Sequence, residues 1–206
     1  MKDRLQDALG RSRAEYTELR LRRVWSTGVF ARGRDVESAG VSIETGGFVR
    51  CRSPGTGWGE VGFSGEDRLD LPVHRAHELA LAANSRHPVG LAPIAVQELD
   101  SPAPLVDDPR EVPLAEKRQR AEALAALLFG ADRRITGGRI SLHDRVVETW
   151  LATSEGTWIH HVRSEIGVAV LALAEEEGNL ERALGSVGAA AGWRAAAGAE
   201  ELVLRT

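Results

Sequence analysis

The alternation of apolar and polar residues divides the chain into a repeated order of elements. Leu5, Ala8 and Leu9 share one face of a short opening helix that ends near Gly10. From Tyr16 the period changes to two. Tyr16, Glu18, Arg20 and Arg22 alternate with Thr17, Leu19 and Leu21, which predicts a strand with one buried face. Val24 to Phe30 and Asp35 to Ser38 read as further strands around breaks at Gly28 and Gly33. Val41 to Glu44, Gly46-Gly47 and Phe48 to Arg52 read as a hairpin, and Ser53 to Gly62 as a Gly-rich loop. Asp70 and Pro72 open a helix whose apolar spacing runs from Val73 to Asn84. Residues 88–113 hold six of the eight prolines and read as a linker. A helix follows from Leu114 to Phe129, stopped by Gly130.

The strand pattern then returns. Arg139 to Asp144, Val146 to Thr153, Trp158 to Arg163 and Ile166 to Ala174 read as strands. Turns are expected at Ser154-Glu155-Gly156 and at Glu176 to Asn179. Residues 185–198 are Gly/Ala-rich, and Ala199 to Leu202 start another helix. The order predicts an α+β fold: two similar helix-plus-antiparallel-strand halves around a largely antiparallel sheet. The expected divisions are a first half at 1–87, the Pro-rich linker at 88–113 and a second half at 114–198. Residues 199–206 are expected to begin a truncated connection to a missing C-terminal domain.

Composition adds limits rather than functions. The net charge of −4 asks for no polyanionic partner. Residues 1–52 hold 11 Lys/Arg against 7 Asp/Glu, so they carry +4 and the remainder −8. That local excess suggests a nucleic-acid module only weakly, because no recognition motif accompanies it. Lys2 and Lys117 are the only lysines. Cys51 is the only cysteine, which rules out a disulfide within the chain and suits a reducing compartment. The N-terminus lacks the pattern of a signal peptide, and the longest apolar run, Gly167 to Ala174, is too short to span a bilayer. The protein is expected in the cytoplasm, without membrane or nucleic-acid partners.

The motifs that resemble chemistry are each incomplete. Gly57-Trp58-Gly59-Glu60-Val61-Gly62 matches G-x-G-x-x-G, but Pro54-Gly55 precede it and Phe63-Ser64-Gly65 follow. A dinucleotide site needs a strand before and a helix N-terminus after, so these glycines are expected to serve the backbone, with Trp58 packed over the loop. His77-Glu78 opens like H-E-x-x-H, yet position 81 is Leu81. His74 and His77 share a helix face and read as a solvent-facing pair. His160 and His161 are neighbours on a strand, so they point to opposite faces and cannot ligate one metal together. His143-Asp144 lacks a nucleophile to complete a triad. Cys51 lies between Arg50 and Arg52, which would depress its thiol pKa, against the alternative of a structural cysteine. Trp25, Trp58, Trp150, Trp158 and Trp193 are scattered and read as packing. No catalytic residue and no metal ligand is assigned, and no peptide-contacting residue is identified.

The order of segments resembles the TldD/PmbA family of zinc metallopeptidases, also described as modulators of DNA gyrase. The residues that carry the resemblance are Ala14 to Arg20, Gly57-Trp58-Gly59, Asp108-Pro109 and Pro113-Leu114-Ala115-Glu116-Lys117. Ser154-Glu155-Gly156, Arg163 and the spaced Gly178, Glu181, Gly185, Gly188 and Gly192 continue it. The resemblance implies the N-terminal domain of a metalloprotease that degrades or processes unfolded peptides, such as precursor peptides and labile antitoxins. It places the zinc ligands on a His-Glu…His helix downstream, so no cofactor is expected in this chain, with zinc in the missing part. It implies a homo- or heterodimer with a related subunit, enclosing a channel that admits unfolded peptides. The strands Arg139 to Thr153 and Ile166 to Ala174 would form part of its wall. Alone, the chain is expected to be inactive. The alternative is a free-standing, non-enzymatic peptide- or subunit-binding domain.

Overall fold

The computed structural model describes residues 1–83, 90–102 and 107–206. The expected helix end at Asn84 and the linker prolines Pro88 and Pro104 lie outside the described residues. The elements in chain order are α1 (Lys2–Leu9), β1 (Tyr16–Arg32), β2 (Asp35–Arg52), β3 (Trp58–Ser64), α2 (Asp70–Ala82) and β4 (Glu98–Ser101). A 3-10 turn at Pro109–Glu111, α3 (Leu114–Ala131), β5 (Ile135–Thr153), β6 (Trp158–Glu176), β7 (Asn179–Ala189), a 3-10 helix at Trp193–Gly198 and α4 (Ala199–Arg205) complete them. The seven strands are ordered β3-β2-β1-β5-β6-β4, with β7 also pairing with β6. The fold is α+β around a largely antiparallel sheet, as the sequence predicts; β4 runs parallel to β6.

Two compact units divide the chain, and they interleave along it. The first comprises residues 1–23, 44–102 and 148–162; the second comprises 24–43, 103–147 and 163–206. In the first unit α1 and α2 cover one face of the strands. Leu5, Ala8 and Leu9 of α1 and Val73, Ala76 and Ala80 of α2 bury against Leu19, Leu21, Val49 and Cys51. The helical spacing of three and four meets the strand spacing of two, so each element contributes one apolar stripe. In the second unit Ala121, Leu124, Ala125 and Leu128 of α3 pack with Val29, Ala31, Ile140, Leu142, Val168 and Val170, and with Val203 of α4.

Several expected breaks are not breaks. β1 runs unbroken through Gly28, and β2 runs through Gly46-Gly47 where a hairpin is predicted. A Cβ on Gly46 would lie 2.7 Å from the Phe63 carbonyl oxygen, and one on Gly47 would strike the Arg20 carbonyl. These glycines let neighbouring strands approach; they do not turn the chain. The true turn is at Gly33, whose φ of 61° is open to glycine. The predicted loop 53–62 ends in a strand, with Trp58 opposite Arg52 and Gly62 opposite Phe48 in the β2–β3 register. Within the Pro-rich stretch, β4 pairs with residues 158–161 of β6.

Gly59 has the tightest setting of the G-x-G-x-x-G glycines. A Cβ there would penetrate the Ala76 carbonyl and the Ala80 amide and lie 2.9 Å from the Leu79 carbonyl carbon, all backbone of α2. Backbone cannot rotate away as a side chain can. Gly59→Ala should therefore lower unfolding stability by about 2 kcal/mol in a denaturant titration. Unchanged stability, or nucleotide binding that this substitution abolishes, would contradict the packing role.

Candidate functional site

The first unit leaves the strand face opposite α1 and α2 open, and period-two alternation decides what stands on it. Thr17, Leu19 and Leu21 face the helices, so Tyr16, Glu18 and Arg20 face away. On β2 and β3 the same parity presents Phe48, Arg50 and Trp58. Glu18 is the hub of this face. Its carboxylate is nearly buried and accepts from the Tyr16 hydroxyl at 3.1 Å and from Arg50 at 3.3 Å, with Arg20 Nε at 2.8 Å. The Arg50 guanidinium lies 4.8 Å from the Trp58 ring, and Tyr16 meets that ring edge-on at 5.9 Å. Arg20 lies over Phe48 at 5.4 Å. Ionic pairing and ring contact together fix side chains that would otherwise be free on an exposed sheet.

Residues 91–97 pass over this face and close a cavity of about 320 Å³. Tyr16, Glu18, Arg50, Trp58, Ile94 and Thr157 are among its lining. Gln97 is tied down on both sides: its N–H donates to Thr157 Oγ1 at 3.2 Å, and its carbonyl accepts from Trp158 N at 2.8 Å. Trp58, expected to pack over a loop, is instead 44% exposed at the cavity. Glu18 is neutralised by two arginines, and the Tyr16 phenol is pushed up to about 12 by burial and by the Glu18 and Glu155 carboxylates. The Tyr16 phenol therefore keeps its proton near neutral pH, while the Glu18 carboxylate is held in its two ion pairs.

The residues singled out in the sequence fall elsewhere. His74 is exposed and pairs with Glu78 at 3.3 Å, while His77 Nδ1 is 3.3 Å from Ser53 Oγ, so the two histidines hold separate partners. His160 and His161 do point apart. His160 stacks on Trp150 at 5.5 Å, between Asp100 at 2.8 Å and Glu148 at 3.0 Å, and so pins β4 to β5 and β6; His161 is exposed. Arg23 extends this cluster to Glu66 at 2.6 Å and to the Trp150 ring at 5.4 Å. His143 is exposed against Gly167, and Asp144 is buried in an ion pair with Lys117. Cys51 is fully buried, and burial pushes its thiol up, with Thr17 and Ser12 opposing. Cys51 is thus the structural cysteine of the two readings, and Arg50 and Arg52 do not depress its thiol, because adjacent strand residues face the other way. Among the described residues, no group of three or more His, Cys, Asp or Glu side chains is placed to hold a metal ion.

The Asp108-Pro109 and Pro113-to-Lys117 segment builds a second, closed site. Asp108 accepts from Arg110 N at 2.9 Å and caps the 3-10 turn, and Arg110 lies 4.8 Å from the Trp25 ring. The Lys117 ammonium is buried, with Asp144 Oδ2 at 2.7 Å, Pro109 O at 2.8 Å and Thr27 Oγ1 at 3.0 Å. Two N–H groups donate to Thr27 Oγ1 and Pro109 O, and the adjoining Asp144 carboxylate compensates the charge.

Tyr16 is the only tyrosine, so tyrosinate absorbance reports it alone. The folded protein should titrate near pH 12, against about 10 when unfolded. The folded value is the higher. Stability from this group is therefore complete below pH 10 and lost as pH rises through 12. Glu18→Gln should lower the folded midpoint. A folded midpoint near 10 would contradict the network.

Residues 107–205, which begin at this segment, match the family model of the PmbA/TldA metallopeptidase central domain. A metalloprotease of Synechocystis sp. is 29% identical over 175 residues, covering 84% of this chain; the chain spans 37% of that relative's length. Solved structures share the fold at low identity. A proposed modulator of a DNA gyrase from Thermotoga maritima has a TM-score of 0.76 at 12% identity, over 99% of this chain and 45% of its own. TldE from Thermococcus kodakarensis has 0.69 at 12%, over 100% of this chain and 47% of its own. The matched model is that of a central domain, which narrows the N-terminal expectation for residues 107–205. The free-standing binding module is not the favoured reading. The chain is similar to the TldD/PmbA metallopeptidases, through the central-domain match of residues 107–205 and the kinship with the Synechocystis metalloprotease.

Proposed function

We propose that the chain is the substrate-handling part of a TldD/PmbA-like zinc metalloprotease that processes unfolded peptides. In this reading residues 107–205 are the central domain and the residues ahead of them the N-terminal portion. They contribute wall to a substrate chamber and contacts to a related subunit, alike or unlike, rather than the catalytic metal. The observation that carries the proposal is the match of residues 107–205 to the family's central domain. The kinship with a metalloprotease of Synechocystis supports the reaction class, and the likeness to TldE supports the fold on which a related subunit is built. The described residues do not fit a zinc site, so no hydrolytic step is assigned to them. We place the protein in the cytoplasm, acting without nucleic acid. Among the described residues no helix is long and apolar enough to cross a membrane.

Selection for unfolded substrates follows from backbone chemistry. An extended peptide has free N–H and C=O groups to offer a wall of strands, whereas a folded protein has used its own. The test supplies a zinc-bearing subunit of the family in trans and follows cleavage of an unstructured peptide. Cleavage should require both chains, stop with chelator, and spare a folded protein of similar composition. The 206-residue chain alone should hold no stoichiometric zinc by elemental analysis and should cleave nothing. Cleavage by this chain alone in the presence of chelator would overturn the proposal.

A further inference from the structure

The cavity beneath residues 91–97 is formed within the first unit alone, by β1, β2, β3, that segment and the β5–β6 turn. Its polar end is incompletely satisfied by the fold itself. Glu18 is only 4% exposed, and no hydrogen-bond donor is aligned on its Oε1, which meets Arg20 as an ion pair. Arg50 gives one N–H to the other oxygen of Glu18, and among the described residues nothing accepts from its buried Nε. A buried acceptor and a buried donor left in this way each cost free energy, which a ligand recovers by supplying the complement. The two side chains are bonded to each other, so one end of a ligand meets both.

Apolar groups form much of the remaining lining. Trp58 is 44% and Ile94 75% exposed, and Leu91 and Leu151 stand with them. Large apolar side chains beside a cavity gain by being covered. The cavity of about 320 Å³ lies at the low end of small-molecule sites, which span roughly 300–1,000 Å³. It has space for a single ring or branched chain and not for a dinucleotide.

Charge decides what the polar end of the ligand carries. Glu18 and Glu155 bring two negative charges to the lining, Arg50 brings one positive charge, and Arg20, paired with Glu18, brings a second. The four cancel. The Tyr16 phenol lies within the field of both Arg50 and Glu155, so the opposite charges act on the same end of the cavity. A ligand with only a carboxylate meets Glu155, and one with only an ammonium meets two arginines. A ligand with both charges on one carbon is neutral overall. It offers an oxygen to Arg50 Nε and N–H groups to the two carboxylates.

We propose that this cavity binds a free α-amino acid with an apolar side chain. The carboxylate sits on Arg50, the ammonium between Glu18 and Glu155, and the side chain against Trp58 and Ile94. Such a ligand is an end product of peptide hydrolysis, but the site stands whether or not the chamber reading does.

The probes are L-phenylalanine, 3-phenylpropionate, which lacks the ammonium, and phenethylamine, which lacks the carboxylate. Each is titrated onto the whole chain by calorimetry. L-phenylalanine should bind saturably and about tenfold tighter than either analogue. Glu155 is exposed at the rim, so Glu155→Gln should leave the thermal melt unchanged. It should weaken L-phenylalanine about tenfold and leave 3-phenylpropionate no weaker than before. Arg50→Met should weaken both carboxylates and spare phenethylamine. Should Arg50→Met unfold, the three probes on the unaltered chain and on Glu155→Gln still decide the matter. Equal affinity for the three probes would reduce the site to an apolar hollow and overturn the inference. An L-phenylalanine affinity unchanged in Glu155→Gln would overturn it too, as would no saturable binding of L-phenylalanine. Cleavage in trans judges the chamber reading separately.

Discussion

A lysine ammonium with almost no access to water governs the arrangement of the second unit. Lys117 stands on the inward face of α3 among Ala121, Leu124 and Leu128, a place where an uncompensated charge would cost several kcal/mol. The chain must therefore deliver acceptors to it from distant segments. Asp144 comes from β5, Thr27 from β1 and the Pro109 carbonyl from the 3-10 turn. The Trp193 ring lies 5.5 Å from the ammonium. The segment that supplies Pro109 is fixed in turn: the Trp193 N–H donates to the Asp107 carbonyl at 2.9 Å, and the Asp107 carboxylate accepts from Arg194 N. Burial pushes the Asp144 carboxyl up against the opposing pull of Lys117. The segment from Asp108 to Lys117 thus reads as a packing instruction, with Asp108 and Pro109 shaping the turn and Lys117 closing it.

The first unit solves a different problem. Its charges sit at the sheet faces rather than inside, and they are paired across strands: Glu18 with Arg20 and Arg50, Arg23 with Glu66, His160 with Asp100 and Glu148. These pairs bring named members of the basic first quarter into ion pairs with neighbouring carboxylates. None of the clusters aligns a nucleophile with a base.

Much of the architecture was legible because periodicity survives folding. The helices at Lys2–Leu9, Asp70–Ala82 and Leu114–Ala131 and the alternation from Tyr16 to Arg22 stand where the sequence predicts them. Glycine was the main source of error, because a strand glycine that admits a neighbour looks in sequence like one that turns the chain. Gly46, Gly47 and Gly59 are of the first kind; Gly33 and Gly178 are of the second. β4 was hidden by the prolines around it and by its length of four residues. The cavity is half legible: alternation sets Tyr16, Glu18 and Arg20 on one face, but the glycines around Trp58 read as a loop, and Arg50 stands in sequence beside Cys51. The burial of Lys117 left no local signal, since a lysine at the start of a helix ordinarily reaches solvent. Asp144, Thr27 and Pro109, each distant from the helix start or outside it, together explain it.

The claim that this ammonium organises the second unit is most directly tested by a double-mutant cycle on Lys117 and Asp144, read by denaturant unfolding. Lys117→Met should cost about 3–5 kcal/mol, because it strands a buried carboxylate. Adding Asp144→Leu should recover most of that loss, because the pair is then replaced by apolar groups of similar size. A loss below about 1 kcal/mol for Lys117→Met, with no recovery in the double variant, would put the site in the class of solvated surface pairs and contradict the account.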